Sequence, residues 1–280
     1  LQVNKDANIN ILNAKDVKTH YSKHQKSSIK LNDIEDIAKN IAMVAITSAA
    51  TGGLTAVGAA YTTTLKIEKK TNINSSRKED IVSSNINSNQ DINLISGANT
   101  NIVASKLNAI KDVNINAGKL SDQNGNIIEN KNAKINILSD KTLNASSSST
   151  QTATIAMDIN SNGINFANSK DTKNQDIKIT NVKSEVKAGN NLNINANSDI
   201  TAKASDLIAQ NNANLTSNQG DVIIASEKDY QNQISETKES NIGLKIDSNL
   251  NMEMGNFQET ETEDGTRTNV KSNLVANEGA

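Results

Sequence analysis

His20 and His24 are the residues whose spacing most resembles a metal site. Four apart, they would share one face of a helix and hold a cation between them. A zinc site needs three or four ligands, and no third is evident nearby. The stretch around them, Val17 to Ile29, is polar, so a solvated arm is the better reading. Asp122, Asn124 and Asn126 open like a calcium loop, but Ile127 stands where the glycine belongs and the closing acid is missing. Glu259, Glu261, Glu263 and Asp264 form an acidic run, read as a wet loop. Glycan cleavage would need clustered carboxylates or a basic residue beside aromatic sugar platforms. Phe166 and Phe257 are the only phenylalanines, and tryptophan is absent. No catalytic, cofactor-binding or metal-ligating residue is assigned, and the expectation is a protein that is not an enzyme and uses no cofactor.

The elements that would carry any site are clearest in Gly189 to Ser226. Gly189-Asn190-Asn191-Leu192-Asn193-Ile194 returns as Gln210-Asn211-Asn212-Ala213-Asn214-Leu215, a step of 21 residues. Ile200 and Ala202 return as Val222 and Ile224. Apolar and polar residues alternate in short runs, the period of a strand with one buried face, and Asn and Gly separate the runs as turns require. Strands this short bury nothing alone, so the unit must stack on its neighbours. The expected fold is all-β: a right-handed parallel β-helix with about 20–22 residues per coil, occupying residues 1–280 as one segment. Aromatic residues make up 2% of the chain and Pro is absent, so Ile, Leu, Val and Ala must fill a narrow coil interior. Asparagine is about one residue in six. At turns it tolerates the left-handed conformation and stacks in ladders, although a biased nucleotide composition gives the same excess.

A longer repeat overlies the short one. Residues 7–31 align without gaps on 133–157 and on 220–244, matching Ile9 with Ile135 and Val222, Lys15 with Lys141 and Lys228, and Ile29 with Ile155 and Ile242. Val182-Lys183-Ser184 returns as Val270-Lys271-Ser272. Each unit reads as coils, a polar arm, and a β-hairpin projecting at the arm's end, with Ile155-Ala156-Met157 and Ile164-Asn165-Phe166 as one such pair of strands. Asn160-Ser161-Asn162-Gly163 and Asp247-Ser248-Asn249 are the turns. Roughly eight to ten coils at about 4.8 Å each would give a rod about 40 to 50 Å long. Neither end resembles a polar cap, and the first residues lack the regions of a signal peptide, so the chain reads as a piece of a longer array.

One stretch breaks the pattern. Residues 32–61 form an apolar insertion at a hairpin tip, with Ile34, Ile37, Ala38, Ile41, Val44 and Ala45 at helical spacing and Thr51-Gly52-Gly53 ending the run. From Ile41 to Tyr61 there is no charge, so 41–61 is a candidate for membrane contact or for packing against the coil. The net charge of −2, with both signs interspersed, provides no field for nucleic acid. Cysteine is absent, which removes disulfides and thiol chemistry.

The stretches AGNNLNINANSDITAKASDLIAQNNANLTSNQGDVIIAS and ANINILNAKDVKTHYSKHQKSS resemble the haemagglutinin repeats of filamentous haemagglutinin-like exoproteins of Gram-negative two-partner secretion systems, a group that includes contact-dependent growth inhibition exoproteins. The resemblance covers nearly the whole chain apart from 32–61. It implies a β-helical stalk, an outer-membrane partner transporter during export, and a place on the cell surface or in the medium. The function it implies is adhesion, through a receptor or glycan on a host or neighbouring cell. Its alternative is a delivery stalk for a contact-dependent toxin, the apolar insertion engaging the target envelope. Neither a secretion domain nor a toxin domain is recognisable in these residues.

Overall fold

The computed structural model describes residues 1–31, 65–121, 124–160, 163–246 and 252–276. The expected helix over 32–61, the residue Asp122 and the turn Asp247-Ser248-Asn249 lie outside them, as do Ser161 and Asn162 of the other turn. Every regular element among the described residues is a strand.

The chain winds through five coils. The first holds β1 (Ile9–Leu12), the long strands β2 (Ala14–Leu31) and β3 (Leu65–Val82), then β4 (Asn85–Ser88) and β5 (Ile92–Ser96). The second is plain: β6 (Thr100–Val103), β7 (Lys106–Ala109) and β8 (Val113–Ala117), leaving through a small hairpin of β9 (Lys119–Ser121) and β10 (Ile127–Glu129). The third again carries long strands: β11 (Ile135–Leu138), β12 (Asp140–Asn160), β13 (Gly163–Val182), β14 (Ser184–Ala188) and β15 (Leu192–Ala196). The fourth is plain: β16 (Ile200–Lys203), β17 (Ser205–Ala209) and β18 (Ala213–Ser217). The fifth has β19 (Val222–Ala225), long β20 (Glu227–Ile246) and β21 (Met252–Val270), and β22 (Asn273–Ala276).

Short strands of successive coils pair in parallel and form three sheets. Their orders are β1-β6-β11-β16-β19, β4-β7-β14-β17-β22 and β5-β8-β15-β18. This is a parallel β-helix. The register is the one the sequence repeat predicts: Leu192 lies opposite Ala213, and Ile200 opposite Val222. Alternation turns every second residue inward, and like residues stack in rows. Ile102 lies between Ile11 and Ile137, and Val186 between Leu107 and Leu207. Of these residues Ile11 is 7% exposed and Leu207 1%, and the rest are fully buried. Among the described residues, none from the six long strands belongs to this core.

Asparagine ladders run along the axis, but the longest is not at a turn. Asn114 donates its amide to Asn93, Asn193 to Asn114 and Asn214 to Asn193, at 2.8, 2.9 and 3.0 Å, all from outward positions in the middle of strands. In-register parallel strands bring identical side chains within about 4.8 Å, the reach of one amide to the next. Corners carry shorter ladders, such as Asn212 to Asn191.

Two different corners join the first sheet to the second. In the plain coils a single alanine turns the chain: Ala104 and Ala204 both have φ of 43° and are fully buried. In the other coils the corner is replaced by a long hairpin, whose neck is tied by a serine. Ser84, Ser184 and Ser272 donate to the carbonyls of Leu12, Leu138 and Ala225 at 2.6, 2.7 and 2.6 Å. Those three carbonyls end β1, β11 and β19, so the hydroxyl closes the coil across the gap the hairpin opens. Ser184 is fully buried, and its oxygen also accepts the Ser105 N–H. Ser184→Ala is expected to destabilise the third coil by about 1–3 kcal/mol, the cost of orphaned buried groups, read as a lower urea midpoint.

The rod is shorter than the sequence suggested: five coils at about 4.8 Å make it about 24 Å long. The missing coils went into the hairpins. The stretches read as polar arms are themselves strands, 18 to 21 residues long and paired down to the coil.

Candidate functional site

The three long hairpins lie side by side. They form one antiparallel sheet of order β2-β3-β12-β13-β20-β21, joined between hairpins by β3 with β12 and by β13 with β20. The reason is a match of two heights. A hairpin is two strands wide, about 9.6 Å, and hairpins leave every second coil, again about 9.6 Å apart. A hairpin on each coil would collide with its neighbour; one on every third would leave a gap. The projecting hairpins expected from the sequence are present, and they join into one continuous sheet.

This sheet is one layer thick, and its faces differ because alternate residues point oppositely. Val17, Tyr21, Ile29, Ile67, Ile73, Ile155, Ile177 and Ile179 occupy register positions of one face. The other face carries Lys18, His20, Ser22, Asn72, Asn74, Ser76, Ser146 and Ser148 at the same steps. Apolar side chains here stay open to solvent: Ile29 is 74% exposed and Ile155 60%. Each face bears a shallow hollow. The one on the more apolar face, about 710 Å³, is lined by Lys23, Gln25, Thr71, Gln151, Asp171 and Lys238. The polar one, about 630 Å³, is lined by His20, Asn74, Ser146, Asn174, Asp176 and Ser235. Among the described residues, Asp171 Oδ1 and Asp176 Oδ1 are buried without a protein donor, so both hollows suit ligands that donate hydroxyl or amide hydrogens.

Ion pairs stitch hairpin to hairpin. Lys15 of β2 meets Asp140 of β12 at 3.2 Å; Lys173 of β13 meets Glu236 of β20 at 3.7 Å, and Lys170 meets Glu239. At the base, Asn181 donates its backbone N–H and its amide to Asp229, at 2.7 and 2.9 Å. Burial would raise the Asp140 carboxyl, but the Lys141 N–H, the Asn13 amide and the Lys15 ammonium together hold it below the usual range. Lys203 does the same for Glu227, and Lys238 for Glu236. Carboxyls depressed by folding stabilise the fold above their ordinary pKa near 4, and the gain disappears as pH falls through their lowered values. Acidification below about pH 4 is therefore expected to loosen the joints between hairpins before the uncharged coil core, seen as earlier loss of amide protection in the long strands.

His20 and His24 lie along β2, opposite Ser76 and Asn72. Four residues of extended strand separate them by about 13 Å, too far to share a cation. No cluster of His, Asp and Glu able to hold a metal occurs among the described residues. Asn124 and Asn126 sit in the short connection between β9 and β10. The acidic run Glu259 to Asp264 is not a loop; it belongs to β21, an edge strand. Sequence reading missed the serine necks, although the returning Val-Lys-Ser carried the signal. No helix among the described residues is long and apolar enough to cross a membrane.

Residues 164–279 match a family model described as hemagglutinin repeat. This stretch is similar to hemagglutinin repeats. The matched stretch begins in β13 and runs through the last two long strands to the final coil, so it contains both kinds of corner. The match is consistent with the filamentous haemagglutinin-like family. Residues 7–31 and 133–157 repeat the grammar of 220–244, which lies inside the matched stretch. No curated protein and no solved structure matches the chain.

Proposed function

We propose that this chain is a non-catalytic stalk segment of a secreted or surface-held adhesin, in which the β-helix is the rod and the hairpin sheet is the surface offered to another cell. One observation supports this most: among the described residues, the six longest strands contribute nothing to the core, yet they form an ordered, ion-paired sheet with both faces in water. Residues that do not stabilise the rod are kept for what they present. The hemagglutinin repeat carries the adhesin-type reading. Contact would be multivalent, since a repeated array of weak sites gains affinity without any single strong one. Its partners would be a receptor or glycan on a host or neighbouring cell, and an outer-membrane transporter during export. The delivery-stalk alternative depends on residues 41–61 engaging an envelope.

The plain coils supply the test, because they close the same corner with one alanine. A variant in which all three hairpins are exchanged for the Ala104-Ser105 corner should keep the parallel-β circular dichroism signal and lose binding to cultured cells. Equal binding by the trimmed rod would refute the proposal.

A further inference from the structure

The long hairpins leave the coil between its first and second sheets, so the third sheet, β5-β8-β15-β18, stands clear of them. Its outward positions carry no charge. β8 turns out Asn114 and Asn116, β15 turns out Asn193 and Asn195, and β5 and β18 add Asn93, Ile95, Asn214 and Thr216. In a chain with 21% charged residues, this face gives an ionic ligand no partner.

Two columns of side chains run along it. The column from Asn93 to Asn214 is an unbroken ladder. The other is cut to two rungs. Asn195 donates to Asn116 at 3.0 Å, but Ile95 lies opposite Asn116 on one side and Thr216 lies opposite Asn195 on the other. Among the described residues, Asn116 Nδ2 has no acceptor and Asn195 Oδ1 has no donor. A side-chain amide offers two hydrogens and two lone pairs, so this short column ends in an unused donor and an unused acceptor.

Both residues open on a hollow of about 260 Å³, which Lys119, Asn197 and Asn218 also line. Asn197 is buried and engaged: it donates to the carbonyls of Gly118 and Asn130 at 2.9 and 3.1 Å and accepts from Asn218 at 2.7 Å. Lys119 pairs with Glu129 across β9 and β10 at 3.6 Å. Asn116 and Asn195 are left to meet a ligand.

We infer that this hollow binds an uncharged sugar residue through its acetamido group. The acetamido carbonyl accepts from Asn116 Nδ2 and its N–H donates to Asn195 Oδ1, the amide-to-amide pairing by which the neighbouring ladder already extends. An extended peptide would pair with a sheet edge, and here a sheet face is on offer, so the amide must hang from a side group. The hollow has room for about one sugar ring. The two asparagines hold each other in place, so little ordering is needed on binding. The site belongs to the coil and not to the hairpin sheet, so either reading can fail while the other stands.

Saturation-transfer NMR with the methyl β-glycoside of N-acetylglucosamine tests this. The acetyl methyl should receive the strongest saturation, with a Kd on the order of 1 mM, the strength of a ring-sized ligand in an open site. Asn116→Ile and Asn195→Thr use the residues that the same column carries at Ile95 and Thr216, so both should fold with unchanged circular dichroism. Each removes one hydrogen bond and should weaken binding roughly 2- to 12-fold, while Lys119→Ala should leave it unchanged. Absence of saturation well above that concentration, or unchanged binding in both asparagine variants, would overturn the inference. So would equal binding of methyl glucoside, which lacks the acetamido group, or of N-methylacetamide, which lacks the sugar.

Discussion

Replacing Leu207 by alanine is expected to lower the stability of the coil by about 2–5 kcal/mol, the range for emptying a buried leucine site. Leu207 is 1% exposed and stacks between Val186 below and Leu274 above. The coil interior is too narrow to refill. Its rows are aliphatic, each residue is fixed in height by parallel pairing, and no aromatic side chain is available to tilt into the void. The collapse that softens such substitutions in a thick core is therefore restricted, and the cost belongs at the upper end of the range. Leu274 offers an internal comparison on the same row. It lies on the last strand of its sheet and is only partly buried, so Leu274→Ala should cost well under half as much. Urea unfolding followed by circular dichroism would measure both. Similar costs at the two positions would mean that stacking, rather than burial, sets the energy.

The second large effect is expected in the sheet. Ser147 lies in β12, paired on one side with Ser75 of β3 and on the other with Gln175 of β13. Proline there removes a ladder donor from a strand with neighbours on both sides, where proline is otherwise hardly found. Orphaning the partner costs about 1–3 kcal/mol, which should speed amide exchange in β3, β12 and β13 roughly 5- to 150-fold. Exchange in β15 and β16 should not change. The two parts share a chain but not a core, so the sheet can loosen while the rod persists. Faster exchange throughout the coil would show that the hairpins stabilise the rod, and would weaken the division into rod and displayed surface.

A rod stabilised by aliphatic rows tolerates variation in whatever leaves its corners. The corners themselves are interchangeable: an alanine in the left-handed region, or a serine-tied neck with a hairpin beyond it.

The coil was legible in the sequence because its physics is local and periodic. Alternation names the inward face of each strand, and stacking at a fixed height forces the pattern to return every 21 or 22 residues, so Leu192 over Ala213 and Ile200 over Val222 follow from spacing alone. The hairpin positions were legible too, from the return of Ile9, Lys15 and Ile29 in the longer unit. What became of the hairpins was not. Val17 to Ile29 and Glu259 to Asp264 are too polar to announce strands, since neither face of a single-layer sheet is buried and the apolar alternation is weak. Nor does a local signal say that hairpins on alternate coils must touch, because that depends on two strand widths equalling two coil heights. Tertiary structure alone decided that the arms fuse into one sheet.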